Sequence, residues 1–325
     1  MSGLVLSRRP LTASVRDQAL FVDPPELDVV LGAVAIGTNV FVSGGPGAGK
    51  TTLARRLEAG DPSVVVVQAE REPTVAGLVA AIASAVSGSE APIGDRIAGS
   101  AGTERDVGVI GNALASRAGG ESPVKVVVVD GASDDQVAVV FGRYRDALWE
   151  LPLTWVVTSR SSAPEPPADA FFDRVVELAP WGSDRLRELA RRRSPNTCDA
   201  GFGAVVEAIS PATPLAGLLA LQEFVVSPDA DALVASLQRE QDLVGELPER
   251  LRGLYQALSA LGPVSASDPE LLRAVGVSRS RITHGLKELE EHGLVEPRRE
   301  GKKVLYSATL NAARDTAGRP VTAGR

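Results

Sequence analysis

Between Asn39 and Leu178 two kinds of hydrophobic pattern alternate along the chain. Short β-branched runs at Val40–Ser43, Val64–Val67, Val124–Val129, Thr154–Thr158 and Val175–Leu178 are almost continuously apolar, which predicts strands buried on both faces. Between them, Thr51–Glu58, Val75–Val86, Val107–Arg117 and Gln136–Trp149 read as helices. Strand alternating with helix predicts a parallel sheet with right-handed crossovers. From Ser87 to Thr103 the chain is rich in Gly, Ser and Ala without a period, which predicts a mobile surface loop.

After Pro180 the strand pattern stops. Ser183–Arg193, Ala200–Ile209, Pro214–Val226 and Asp229–Leu243 read as helices separated by Ser-Pro breaks. Pro248 opens a last segment. Its first helix, to Leu261, places Leu251, Leu254, Tyr255, Leu258 and Leu261 on one face. Asp268 is placed to cap a second helix, Pro269–Val275, and Ser278 a third, Arg279–Glu291, whose core stripe is Ile282, Leu286 and Leu289. Leu294–Tyr306 reads as a hairpin. The expected division is 1–180, 181–247 and 248–310, followed by a disordered polar tail, 311–325.

Composition narrows the class. Over 325 residues, 44% hydrophobic and 23% charged residues describe an ordinary globular chain. A single cysteine, Cys198, cannot close an internal disulfide and argues for a reducing compartment. With only His284 and His292, no Cys/His zinc cluster can be built. No apolar run approaches the ~20 residues of a membrane span, and Arg8 and Arg9 precede no apolar segment. The expectation is a cytoplasmic protein without a membrane partner. Charge is uneven: residues 1–262 hold 23 Lys and Arg against 33 Asp and Glu, whereas 263–310 hold eight against seven.

One stretch carries chemistry. Gly44-Gly-Pro-Gly-Ala-Gly49-Lys50-Thr51, between a predicted strand and a predicted helix, fits G-x-x-x-x-G-K-T. Backbone N–H groups of Gly44, Gly45, Pro46 (which lacks one), Gly47, Ala48 and Gly49 would curl around a β-phosphate, followed by Thr52 in the helix N-terminus. Lys50 would reach the β- and γ-phosphates, and the Thr51 hydroxyl would ligate Mg²⁺. Asp130, ending the Val126–Val129 run, supplies the second Mg²⁺ ligand, since a carboxylate at a buried strand end needs a cation or donors. The expected cofactors are therefore ATP or ADP with Mg²⁺.

Together these motifs resemble the additional-strand P-loop ATPases of the AAA+ and STAND (NB-ARC-like) group, in which the two halves of the site lie on non-adjacent strands. The implied fold is a three-layer α/β P-loop domain, a helical lid and a C-terminal winged helix. Thr158-Ser159-Arg160 is similar to the strand-end Thr-Ser-Arg of that group, which implies that Arg160 senses the γ-phosphate. Pro214-Leu215-Ala216 resembles its G-x-P-L-A element, which implies that Pro214 packs near adenine. Arg174 stands where AAA+ proteins carry an arginine finger, implying reach to a neighbouring subunit in a nucleotide-dependent homo-oligomer. Phe21–Leu27 occupies the place of the adenine-covering stretch but lacks its Gly-Arg-Glu. The residue after Asp130 is Gly131, not the Glu that AAA+ proteins use to orient water, which implies a slow ATPase. Asp134 and Asp135 lie a turn further on.

The last segment resembles MarR-like winged helices and the C-terminal winged helix of origin-recognition-type AAA+ ATPases. That likeness implies a double-stranded DNA partner, with Arg279, Ser280, Arg281, Thr283, His284 and Lys287 facing the groove and Arg298, Arg299, Lys302 and Lys303 on the backbone. At 100° per residue, Ser280, Thr283, His284 and Lys287 form a polar face free of acid until Glu291. The expected function is a nucleotide-switched DNA-binding regulator. The alternative is a STAND-type signalling switch, whose winged helix is an internal lock and whose output is assembly with a protein partner.

Overall fold

The computed structural model describes residues 11–12, 14–45, 47–72, 74–88, 105–117, 124–194, 200–261, 263–301 and 303–308. Pro46, Lys302, Cys198, the tail and most of the 87–103 loop lie outside the described residues. The contacts divide the chain into two compact units that meet in sequence at Pro180 and Trp181.

The first unit is built on five parallel strands: β1 (Val40–Ser43), β2 (Val64–Gln68), β3 (Val126–Ala132), β4 (Thr154–Ser159) and β5 (Arg174–Glu177). Their order is β2-β3-β4-β1-β5, so β4 separates β1 from β3. Alternate residues feed two cores, as a strand's period of two requires. Phe41, Val127, Val129, Trp155 and Val157 face one core, together with Leu78, Ile82 and Ile110. Those three come from helices α4 (Val75–Ser87) and α5 (Arg105–Arg117). Val40, Val42, Val126, Val128 and Val156 face the other core, against Leu27, Val30, Leu53 and Leu57. These belong to α2 (Leu27–Ala35) and α3 (Lys50–Gly60), after a short α1 at Val15–Gln18. The sheet is thus the middle of three layers, which explains why β1, β3 and β4 read as unbroken apolar runs. The edge strand β5 departs from that expectation, with only Val176 buried and Val175 exposed. At the N-terminal strand ends, buried Asn39 laces the sheet together. Its amide donates to Phe171 O at 3.3 Å, and its side-chain oxygen accepts from Trp155 N at 3.0 Å.

One expected element differs. Gln136–Trp149 is not a continuous α-helix but a capped turn, α6 (Asp134–Gln136), a π-helical run, Val137–Arg143, and α7 (Arg145–Trp149). Val137, Val140, Phe141 and Gly142 are all buried, more than one stripe of an α-helix can present. Gly142 lets the run close on the turn at Ala168, whose backbone N would lie 3.2 Å from a Cβ placed there.

The second unit begins at Trp181, which bridges Ala212. Four helices follow, α8 (Ser183–Arg193), α9 (Ala200–Ile209), α10 (Pro214–Val226) and α11 (Ala230–Glu246). Then come α12 (Glu249–Leu261), α13 (Pro269–Val275) and α14 (Arg279–Glu291), and the hairpin β7 (Val295–Glu300) and β8 (Lys303–Ala308). Leu251, Leu254, Leu258, Ile282, Leu286 and Leu289 share one core, as their spacing predicts. A two-residue strand, β6 (Val264–Ser265), pairs with β8. It is too short to leave a pattern in the sequence. Asp268 accepts from Leu271 N at 3.3 Å, as a cap does. Ser278 corrects the other capping expectation: its backbone is extended before α14, but its hydroxyl makes no capping bond.

Candidate functional site

The loop from Gly44 to Gly49 leaves the C-terminal end of β1 and turns directly into α3, whose Leu53, Ala54 and Leu57 anchor it to the sheet. Gly44 has φ 152°, Gly47 74° and Gly49 101°, conformations that only glycine adopts without strain. At Gly44 crowding adds to this, since a Cβ would stand 3.1 Å from Ala48 Cβ and 3.3 Å from Leu178 Cβ. The loop closes on itself through Ala48 N donating to Gly45 O at 3.2 Å, and Gly49 O accepts from Leu53 N at 2.8 Å. Thr51 and Thr52 lie half-buried in the first helical turn. Lys50 curls back over the loop, and its ammonium donates to Gly44 O and, at 3.0 Å, to Gly45 O. Burial first, and then the Arg160 guanidinium, lower the Lys50 pKa to about 8.

Asp130 is buried at the end of β3, where it accepts from the Thr158 hydroxyl at 2.8 Å. The same Thr158 oxygen accepts from Gly131 N at 2.9 Å. The β3–β4 register shifts between Val129 and Ala132, and Gly131 has φ 77° there, so Thr158 stitches a bulge. Arg160, just past β4, extends to Glu70, with Nη2 3.8 Å from Oε1. Asp134 accepts from the Ser161 hydroxyl, while Asp135 is exposed. In the Phe21–Leu27 stretch, Asp23 pairs with Arg56 of α3 at 3.0 Å, and Glu26 accepts from Ala179 N at 3.3 Å. Arg174 is exposed and paired with Val40, at the opposite end of the strands from the loop that leaves Ser43. Three residues of strand span about 10 Å, so Arg174 does not belong to this chain's own phosphate site.

In the second unit Arg279, Ser280, Thr283, His284 and Lys287 line one shallow depression on α14. Arg281 is exposed on the same helix but does not line it. The face is less free of acid than the helical wheel predicts. His284 Nε2 lies 3.0 Å from Glu288, which Arg250 of α12 also holds at 2.8 Å. On the hairpin Arg298 pairs with Leu305, Arg299 with Val304 and Glu300 with Lys303. Consecutive strand residues point to opposite faces, so Arg298 and Lys303 share one face and Arg299 takes the other. Pro214 is the first residue of α10, capped by the Thr213 hydroxyl, which accepts from Ala216 N at 3.2 Å.

Residues 37–154 match the family described as AAA domain. This segment is similar to an AAA domain. No curated protein matches the sequence at a significant level. Among solved structures, a Walker-type ATPase of Pyrococcus abyssi is similar at 13% identity, over 95% of this chain and 99% of that one, with a TM-score of 0.52. The Aeropyrum pernix ORC2 protein is 14% identical over 96% of both chains, with a TM-score of 0.45. The Thermotoga maritima RuvB branch-migration motor is 16% identical over 91% and 93%, at 0.43. The P. abyssi likeness supports the fold: a P-loop NTPase-like α/β fold with a five-stranded parallel sheet.

The first unit brings Lys50, Asp130 and Arg160 into one cluster of charge. It also adds residues that sequence reasoning passed over. Thr158 was legible as part of a motif, but its bond to Asp130 was not. Glu70 follows β2 on a 3₁₀ turn, Ala69–Arg71, and only the sheet order, which sets β2 beside β3, brings it to the site. Among the described residues no three His, Cys, Asp or Glu side chains cluster as a metal site, and no helix is long and apolar enough to cross a membrane.

Proposed function

We propose that this protein is a nucleotide-switched, DNA-binding ATPase. The observation that carries the nucleotide half is the glycine-shaped loop that Lys50 folds over at the start of α3. Such a loop offers backbone donors and a helix N-terminus to phosphate oxygens. Mg²⁺ fits the donor set. A hydroxyl and one buried carboxylate, Thr51 and Asp130, leave the remaining positions to phosphate and water, as this hard cation prefers. When bound it would neutralise charge on the β- and γ-phosphates. Arg160 would pair with the γ-phosphate, and Pro214 would pack near adenine. Arg174 is assigned to the nucleotide of a neighbouring copy.

Proton linkage tests the Lys50 assignment. Its amine must be charged to attract phosphate, yet in the free protein it loses its proton near pH 8. With divalent cations chelated, ATP affinity is expected to fall about fivefold from pH 8 to 9, approaching one power of ten per unit beyond, and binding there should take up a proton. Calorimetry in buffers of different ionisation enthalpy measures both. A flat profile over this range would exclude Lys50 as the phosphate partner.

The DNA half rests on the depression lined by Arg279, Ser280, Thr283, His284 and Lys287, together with Arg298, Arg299, Lys302 and Lys303, in a chain otherwise acidic. The helix residues would read base edges, and the hairpin would touch backbone. Each phosphate contact contributes about 0.9 to the slope of log affinity against log salt, so Arg298→Ala with Lys303→Ala should lower that slope by about two units at most. An unchanged slope would remove the hairpin from the interface. The deciding experiment is capture and sequencing of sheared genomic DNA at physiological salt, with ATP and with ADP in parallel. Enrichment of sites that changes with nucleotide supports the proposal. The Glu288 carboxylate, held beside His284, favours a second reading if no DNA is captured: a signalling switch that acts through a protein partner.

A further inference from the structure

The residue that follows Asp130 is a glycine, so the strand that carries the site offers no second carboxylate to the attacking water. The neighbouring strand does. Glu70 lies over Gly131 so closely that a Cβ at that position would stand 2.7 Å from Glu70 Cγ and 3.1 Å from its Cδ and Oε1. The Glu70 carboxyl group therefore fills space that a side chain at position 131 would enter, and the positive φ of Gly131 keeps that space open.

The turn that delivers Glu70 is braced. Buried Gln136 donates from Nε2 to Glu72 O at 2.7 Å and to Ala69 O at 3.3 Å, while its amide oxygen accepts from Ser133 N at 2.9 Å. Two carbonyls flanking Glu70 are thus tied to the segment that continues β3. The carboxylate itself is not buried: the side chain is 67% exposed, with Oε1 3.8 Å from Arg160 Nη2. An acid held by a rigid turn, open to water and beside the residue assigned to the γ-phosphate has the placement of a general base.

We infer that Glu70 is a catalytic residue for ATP hydrolysis, the carboxylate that orients the attacking water and takes its proton. In that step the water oxygen forms a bond to the γ-phosphorus as the bond to the β–γ bridging oxygen breaks. The pair of electrons from that bond stays with ADP, and the water proton passes to Glu70 and then to solvent. This inference rests on the nucleotide reading of the same site. It differs from a purely structural Glu70–Arg160 ion pair, whose loss in Glu70→Gln would act through Arg160 and so change ATP affinity along with turnover.

The test compares the full-length protein with Glu70→Gln and Glu70→Asp, measuring ATP affinity by calorimetry and phosphate release under saturating ATP. Glu70→Gln is expected to hydrolyse ATP about a hundredfold or more slowly, the usual worth of a general base. Its ATP affinity should stay within about threefold of the unaltered protein, which separates a kcat effect from a binding effect. Glu70→Asp, which keeps the acid but shortens its reach, should recover part of the rate. Glu70→Gln turnover within about fivefold of the unaltered protein would overturn the inference. So would an unaltered protein that binds ATP without turning it over; in either case the nucleotide reading would stand. Absence of ATP binding in the unaltered protein would overturn both.

Discussion

Lys50→Ala is expected to weaken ATP binding by about two to three powers of ten, because it removes the ammonium folded over the phosphate loop and with it a direct charged partner of the phosphates. A loss of affinity alone could come from unfolding, but here the two effects have opposite signs. The Lys50 amine has a folded pKa of about 8, lowered by burial and by Arg160 from 10.5. Between those two values the unfolded chain binds a proton that the folded chain does not, so stability rises with pH across the window. Below about pH 8 the charged amine costs the fold its full amount, at most about 3 kcal/mol from the size of the shift. Alanine removes that cost. Calorimetry should therefore find Lys50→Ala unable to bind ATP at micromolar concentrations, and thermal melts at pH 7 should find it at least as stable as the unaltered protein. Its stability should also lose the rise between pH 8 and 10.5. Unchanged ATP affinity would sink the assignment of the pocket.

What could be read from sequence and what could not divides along one physical line. Patterns fixed by the chain's own geometry were legible. Both-face burial made Val126–Val129 and Thr154–Thr158 continuous in apolar residues, and the glycines around Lys50 announced a loop that needs left-handed backbone. The three-residue and four-residue spacing of Ile282, Leu286 and Leu289 placed one face of α14 in the core. Features set by which elements become neighbours were not legible. Glu70 reaches Gly131 only because β2 adds beside β3, and Glu288 reaches Arg250 only when α12 packs against α14. The π-helical run shows the same limit from another side. Val137, Val140 and Phe141 carry an apolar signal, but nothing in their spacing marks the widened winding or the close approach of Gly142 to Ala168. Chemistry carried by a contiguous motif survives in one dimension, whereas chemistry carried by a tertiary contact does not.

The second large effect lies in the sheet that holds the site. Trp155→Ala is expected to destabilise the nucleotide unit by about 3–5 kcal/mol, the usual cost of emptying an aromatic site in a packed core. Trp155 is fully buried on β4, with Phe141 5.7 Å away edge-on and Phe171 at 6.5 Å, in a cluster completed by Phe41 and Phe172. For a unit of this size each kcal/mol shifts the melting temperature by about 2–4 °C, so calorimetry should show a fall of about 10 °C. Trp155→Phe separates volume from polarity. The indole Nε1 is buried without an acceptor among the described residues, and removing that donor offsets part of the lost volume, so the cost should be below about 1.5 kcal/mol. The effect connects to function through β4 itself, since Trp155 is three residues from Thr158, the hydroxyl that holds Asp130. Binding to the folded state alone raises stability by about 2.7 kcal/mol at a hundredfold excess over Kd. ATP should therefore restore a large part of the loss in Trp155→Ala and none in a double variant that also carries Lys50→Ala. Equal rescue in both would mean that ATP binds somewhere other than the Lys50 loop.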